Sequence, residues 1–318
     1  MIDQLLDAIR EAERQGLAET PESDVLAGFS GEKVIGALQR LAALYAVKPD
    51  CCYLEVGVFQ GLTLLSVAHA NRGLPCFGVD NFAFLDPDGR NQALVHERKA
   101  RLGVDNASLI NSDYEDALEE LSTHLGQHRL GVYFVDGPHD YRSQLVCLLL
   151  AVPHMSEHGV IVVDDANYLH VRQANRDFLV SHPEYRLLFE AYTPVHPGNL
   201  DGGPLEAARR GWWNGVNIIV RDPGRRLPAA FPPTVRNREL FENEHVLMGS
   251  RLCDHLPQVN ARVLHLMSVA GHRFPREAWR FARWAWSLRS ATFRGHHNAM
   301  NTFSEDLPRA RYHEPDPG

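Results

Sequence analysis

The chain has 318 residues, with 32 Lys plus Arg against 40 Asp plus Glu, a formal charge of −8. That acidic balance excludes a sequence-independent nucleic-acid binder, whose affinity rests on a net basic footprint. Hydrophobic residues at 44% and charged residues at 23% are globular proportions, which exclude wholesale disorder, and the length suits one large α/β domain with appendages or two domains.

Residues 2–16 place Ile2, Leu5, Leu6 and Ile9 on one side of a helix with acidic and basic residues opposite. After a Thr-Pro-Glu-Ser linker, Ser30 is a plausible N-cap for a second amphipathic helix over 31–45. The two helices predict an N-terminal helical cap over 1–48. From residue 51 the rhythm changes to short apolar runs, each followed by a helical period. Strands are predicted at 52–56, 76–80, 108–112, 131–136 and 160–164, and helices at 61–72, 90–102, 114–125, 141–157 and 167–181. Such alternation implies an α/β fold, a parallel sheet with helices on both faces. Two further strands, 185–192 and 216–221, flank a Gly- and Pro-rich connection, 193–214, and bring the expected sheet to seven strands. Residues 49–222 therefore form the main domain. The remainder, 223–318, is expected to be a C-terminal helical extension: a Pro-rich linker to 233, helices over 255–271 and 276–293, and a disordered tail over 300–318.

Five cysteines (Cys51, Cys52, Cys76, Cys147, Cys253) have no C-x-x-C spacing, and four lie in apolar runs, the pattern of buried free thiols. The acidic N-terminus does not read as a secretory signal, so a cytoplasmic location is expected. The longest apolar run, around 145–153, is less than half of the ~20 residues of a membrane span. Only Lys33, Lys48 and Lys99 are lysines, which leaves few candidates for any lysine-dependent mechanism.

Ligands of open parallel sheets bind beyond the carboxyl ends of the strands. There the first strand is followed by Glu55-Val-Gly57-Val-Phe-Gln-Gly61, in which glycines let backbone N–H groups approach a ligand ahead of a helix. This is not the dinucleotide G-x-G-x-x-G, and Glu55 favours a cationic ligand over a pyrophosphate. Asp80 ends the second strand, where a carboxylate can hold a ribose diol. Asn111-Ser112-Asp113 ends the third, where polar groups can read an adenine edge. Individually, a glycine turn is often a packing device and an aspartate at a strand end a helix cap; it is their order that points to one site.

The run Tyr53-Leu-Glu-Val-Gly-Val-Phe-Gln-Gly-Leu-Thr63, together with Asp80, Phe134-Val-Asp-Gly-Pro-His-Asp-Tyr141 and Gly159-Val-Ile-Val-Val-Asp-Asp165, resembles the class I S-adenosylmethionine-dependent methyltransferases. Within them the small-molecule O-methyltransferases of the macrocin O-methyltransferase type are most similar, and catechol-type enzymes less so. The resemblance spans about residues 30–222 and extends to Gly211-Trp-Trp-Asn-Gly-Val-Asn217. It implies a Rossmann-like sheet with a final antiparallel strand. It also implies S-adenosylmethionine held by Glu55 and Gly57 at the methionine moiety, Asp80 at the ribose and Asp113 near the adenine, with Gly61, Thr63, Ser112 and Asp136 completing the set.

Asp136, Asp164 and Asp165 end two strands that adjoin in such a sheet, and three converging carboxylates repel one another unless a cation is present. All-oxygen ligation suits Mg²⁺, Mn²⁺ or Ca²⁺, and the metal-dependent relatives carry Asp, Asp and Asn or Asp at the matching positions. The plainer alternative is that Asp164 and Asp165 cap a helix and Asp136 contacts the cofactor's amino group. His139 falls where the catechol-type enzymes place a lysine base, and an imidazole can take a hydroxyl proton at neutral pH. It reads equally as a helix-entry residue, and Asp140 either orients it or is a first-turn helix charge.

The expected activity is methylation of a sugar hydroxyl or phenol of a small specialised metabolite, with Mg²⁺ or another divalent cation. A metal-independent enzyme, an N-methyltransferase or a non-catalytic binding protein stand as alternatives. His196, Trp212 and Trp213 make the 193–214 connection a candidate lid or a surface loop with core tryptophans. The basic, aromatic stretch from Arg273 to Arg294 suits an apolar face of its own domain, a partner, or a membrane surface. A homodimer or higher homo-oligomer is a compatible assembly.

Overall fold

A computed structural model describes residues 1–20, 25–83, 85–234, 256–268, 275–286 and 309–315. Two helices, α1 (Ile2–Gln15) and α2 (Glu32–Ala46), precede an alternation of strands and helices. The order is β1 (Cys51–Val56), α3 (Leu62–Ala70), β2 (Cys76–Val79), α4 (Asn91–Arg101), β3 (Ala107–Ile110), α5 (Tyr114–Glu119), α6 (Leu121–Leu125) and β4 (Arg129–Val135). It continues with α7 (Tyr141–Ala151), β5 (Met155–Val163), α8 (Leu169–Ser181), β6 (Tyr185–Ala191), α9 (Gly202–Arg209), β7 (Val216–Arg221) and β8 (Ala310–Tyr312).

The strands hydrogen-bond in the order β3-β2-β1-β4-β5-β7-β6-β8. The first five are parallel, β7 runs antiparallel between β5 and β6, and β8 pairs antiparallel with β6. The expected seven-stranded sheet thus has an eighth strand. It comes from the polar C-terminal span read as a tail, in which Phe189 packs against Tyr312 with ring centroids 4.8 Å apart and the His313 amide donates to the Leu188 carbonyl. Three residues among polar neighbours carry no alternation that composition can detect.

Successive strand residues face opposite ways and feed two cores. Cys51, Tyr53, Val132, Phe134, Val160 and Val162 pack with the apolar stripes of α1, α2 and α3. Their neighbours Cys52, Leu54, Tyr133, Val135, Ile161 and Val163 pack with α5 to α8. Both faces are covered, which is why these strands read as continuous apolar runs. The Tyr45 hydroxyl pins α2 by donating to the His158 carbonyl. Cys51, Cys52, Cys76 and Cys147 are buried free thiols, as expected; Cys253 lies outside the described residues.

Boundaries differ where a breaker intervenes. The helix expected to 157 ends at Ala151 and gives way to a 3₁₀ turn over Val152–His154, because Pro153 has no amide to continue it; β5 therefore begins at Met155. The 193–214 connection contains the short helix α9. Of the C-terminal helices, Leu256–Ser268 and residues 275–286 are described. They stack Arg262 over Trp284 and Arg283 over Trp279 and leave Met267 and Trp286 exposed. Arg273, Arg289 and Arg294 lie outside the described residues.

Candidate active site

The carboxyl ends of β1 to β5 open into a cavity of about 850 Å³, walled by the turns after those strands, by residues 28–30, and by parts of the 193–214 connection. The β1–α3 turn forms its base. Gly57 has φ +94° and donates its amide to the Val79 carbonyl; a Cβ there would sit 1.9 Å from the Asp136 carbonyl oxygen, so the approach of β1 to β4 requires glycine.

Asp80 staples this turn. Its Oδ2 accepts from the amides of Val58 (2.9 Å) and Phe59 (2.7 Å), and its Oδ1 from Phe82 (2.7 Å). Asp113 lines the cavity while its side chain caps α5 by accepting from the Glu115 amide. Thr63 and Ser112 line it as well. Gly61 and Glu55 do not. Gly61 sets the left-handed start of α3 at φ +82°.

Glu55, expected beside a bound cationic ligand, is turned the other way. It shares its strand face with Tyr53, is fully buried, and accepts from the Tyr53 hydroxyl (2.6 Å) and the Thr63 hydroxyl (3.1 Å). Burial pushes its carboxyl up to about 8, against the lowering effect of those hydrogen bonds.

The second constellation meets beside this turn, beyond the ends of β4 and β5. One ligand atom each from Asp136, His139 and Asp165 lies within 4.8 Å of the others, and His139 Nε2 is 2.8 Å from Asp165 Oδ2. Asp164 is not part of this group. It is buried, absent from the cavity wall, and its Oδ1 accepts from the Asp165 amide. The side chains that meet are therefore two carboxylates and an imidazole in place of the three aspartates expected.

Burial, with Asp164 and Asp165 next in weight, pushes the Asp136 carboxyl well above the usual range. Burial raises Asp164 likewise. For Asp165 burial acts in the same direction but is outweighed by the charge and hydrogen bond of His139 and the hydrogen bond of Asn214, so its carboxyl stays below the usual range. The site thus sets Asp136, whose carboxyl burial pushes upward, beside Asp165, whose carboxyl His139 and Asn214 hold down.

Asp140 does not orient His139. It is the N-cap of α7, accepting from the Ser143 amide. Asp165 fills the orienting position, and Tyr168 stacks on the imidazole with ring centroids 5.4 Å apart and a 19° interplanar angle. The Tyr168 hydroxyl lies 3.0 Å from His196 Nε2, which joins the 193–214 connection to the floor. The two tryptophans divide: Trp213 lines the cavity with Arg209 over its ring at 5.7 Å, whereas Trp212 packs on Phe189 in the core. Tyr168 and the 28–30 segment were not singled out by sequence; a tyrosine entering a helix and a Gly-Phe-Ser linker carry no pattern that separates them from packing residues.

Residues 54–166 match the family described as "Methyltransferase domain". Among solved structures the chain is similar to the O-methyltransferase TomG from Streptomyces achromogenes, involved in tomaymycin synthesis and solved with S-adenosylmethionine. Identity is 16%, with 69% of this chain and 90% of that chain covered and a TM-score of 0.43. It is also similar to the O-methyltransferase from Bacillus cereus in complex with S-adenosylhomocysteine (12% identity, 70% and 90% covered, TM-score 0.42). A third similar structure is the S-adenosylhomocysteine-bound methyltransferase PaMTH1 of Podospora anserina (16% identity, 68% and 87% covered, TM-score 0.41). No curated protein matches the chain. The strand order is that of an α/β Rossmann-like sheet, within which residues 54–166 carry the match to the methyltransferase domain family, and no helix among the described residues is long and apolar enough to cross a membrane.

Proposed function

We propose that this protein is an S-adenosylmethionine-dependent methyltransferase that methylates an oxygen of a small specialised metabolite, a sugar hydroxyl or a phenol, with the help of a divalent cation. The observation that carries the reading is that two halves of one chemistry share one cavity: the Gly57 turn with Asp80, Ser112 and Asp113, and beside it the Asp136–His139–Asp165 group. The first half offers backbone and carboxylate groups suited to a nucleoside and an amino acid. The second fits a hard cation, since burial first, and then the neighbouring carboxyls Asp164 and Asp165, push Asp136 upward, and a divalent ion would offset the second of these. Asp136 and Asp165 would hold that ion.

Bound here, S-adenosylmethionine supplies an activated methyl group, and the cation supplies a Lewis acid that lowers the pKa of the acceptor hydroxyl. The chain's own residues do the rest. His139, held by Asp165 through Nε2, takes the acceptor's proton on its imidazole. Asp165, ionised, stabilises the imidazolium that results. The Tyr168 ring fixes the imidazole plane, and the wall formed by residues 28–30 and Trp213 limits water at the reacting oxygen.

A metal-independent variant of the same reaction is favoured by one observation: the His139–Asp165 contact is complete within the protein at 2.8 Å. Calorimetric titration of S-adenosylmethionine and S-adenosylhomocysteine, first with Mg²⁺ and then with EDTA, tests both readings. Micromolar binding of both nucleosides is expected, together with a separate Mg²⁺ heat that disappears in Asp165→Asn. Nucleoside binding without any Mg²⁺ heat leaves the metal-independent reaction; binding of neither nucleoside overturns the assignment.

A further inference from the structure

The Asn214-Gly215 pair within the Gly211–Asn217 stretch has no place in the chemistry above, yet it is buried against it. Asp165 holds a left-handed backbone, φ +52°, which is uncommon for a residue with a side chain. Such a conformation persists only where its surroundings impose it, and here they are explicit. Asn214 Nδ2 donates to Asp165 Oδ1 at 2.7 Å. The Asn214 carbonyl accepts from the Asn167 amide (3.0 Å), and its Oδ1 accepts from Asn167 Nδ2 (3.2 Å). Asn167 is tied in turn to Thr193, donating from Nδ2 to the Thr193 carbonyl (2.9 Å) and hydroxyl (2.8 Å) and accepting the Thr193 amide at Oδ1 (3.1 Å).

Both asparagines are fully buried. Gly215, at φ +86°, leaves no room for a side chain, because a Cβ would stand 2.5 Å from Asn167 Oδ1. From the other side Arg172, itself 1% exposed, donates to the carbonyls of Ala166 (2.9 Å) and Asn167 (2.6 Å). A buried polar network satisfied this completely fixes one geometry.

We infer that Asn214 is a positioning residue for the His139–Asp165 pair. By engaging Oδ1 it leaves Oδ2 as the oxygen that Asp165 presents to His139 Nε2, which sets the imidazole's tautomer and orientation. Asn167 and Gly215 hold Asn214 in place. The role of His139 as base rests on the proposed function; the geometric effect of Asn214 on the imidazole does not.

The test is ¹⁵N NMR of histidine-labelled protein in EDTA at fixed pH, the His139 signals being identified by their loss in His139→Gln. In the unaltered protein His139 is expected as the Nε2–H tautomer with its proton hydrogen-bonded. In Asn214→Ala, and in Asn214→Asp, which keeps the size but loses the donor, the His139 nitrogen shifts are expected to move towards the average of exchanging tautomers. S-adenosylhomocysteine affinity should stay unchanged, because Asn214 does not line the cavity. Unaltered His139 shifts in the variant that folds overturn the inference. So does a parallel loss of nucleoside affinity, which would mark a merely structural role. If the unaltered protein binds no S-adenosylhomocysteine, the proposed function falls while the NMR result still decides the role of Asn214.

Discussion

Glu55 shows how one side chain's facing changes its meaning. The motif places it at a strand end near the ligand, but alternation along β1 sends it under α3 with Tyr53, while Val56 and Gly57 after it reach the cavity. Its proton is held to about 8 in the fold against an ordinary 4.5. Between those values the folded chain binds more protons than the unfolded one, so stability falls as pH rises, by up to about 1.4 kcal/mol for each pH unit. Glu55→Gln removes this dependence. Its melting temperature should gain on the unaltered protein steadily from pH 5 to pH 8, and parallel pH profiles for the two proteins would refute the burial argument. Gly57→Ala meets a harder limit. It combines an unfavourable φ with a contact that the β4 backbone cannot relieve, and urea unfolding should register a loss of about 3 kcal/mol or more.

Among the elements, β8 has the least sequence signal and a clear electrostatic task. Glu190 on β6 is completely buried. Its Oε1 lies 3.3 Å from His313 Nε2 and 3.4 Å from an Arg311 nitrogen, while Oε2 accepts from the Tyr192 hydroxyl at 2.8 Å. Removing both basic partners strands a carboxylate in the core, so Arg311→Ala with His313→Ala should cost about 3 kcal/mol in urea unfolding. Adding Glu190→Gln should return much of that loss; an equal loss with or without it would mean that β8 stabilises by packing alone. The parallel elements, by contrast, were legible because each couples a short apolar run to a helical period. The choice between Asp164 and Asp165 was not, because it depends on which side chain the strand end turns to the cavity, and the partner that engages Asp165, Asn214, lies 49 residues along the chain. The replacement of Asp140 by Asp165 as the orienting carboxylate was hidden for the same reason: it depends on how strand ends face each other, which adjacent letters do not encode.

At the scale of the whole molecule, the N-terminal helices behave as part of the sheet domain rather than as an appendage. Ile2, Leu5 and Ile9 of α1 and Val34, Leu38 and Tyr45 of α2 belong to the same buried cluster as Tyr53, Val132, Phe134, Val160 and Val162 of the sheet. The two chain ends also meet: the Tyr312 hydroxyl donates to Glu13 at 2.7 Å, the Arg10 guanidinium lies over the Tyr312 ring at 5.4 Å, and Arg10 pairs with Glu314. Between α1 and α2, residues 28–30 contribute to the cavity wall, with Phe29 stacked on Phe59 at 5.2 Å. A chain beginning at residue 49 would therefore bare the part of this sheet face that α1 and α2 cover and open the cavity together. Lost burial on that scale exceeds the margin by which a domain is stable. Such a chain should retain far-ultraviolet circular dichroism, lose the near-ultraviolet signal, bind a hydrophobic dye and fail to take up S-adenosylhomocysteine. Adding residues 1–48 as a separate peptide should restore the near-ultraviolet signal, since the packing that joins α1 and α2 to the sheet is apolar and needs no peptide bond across residue 48. Cooperative unfolding and undiminished nucleoside binding by the shortened chain alone would instead make the first 48 residues a separable cap.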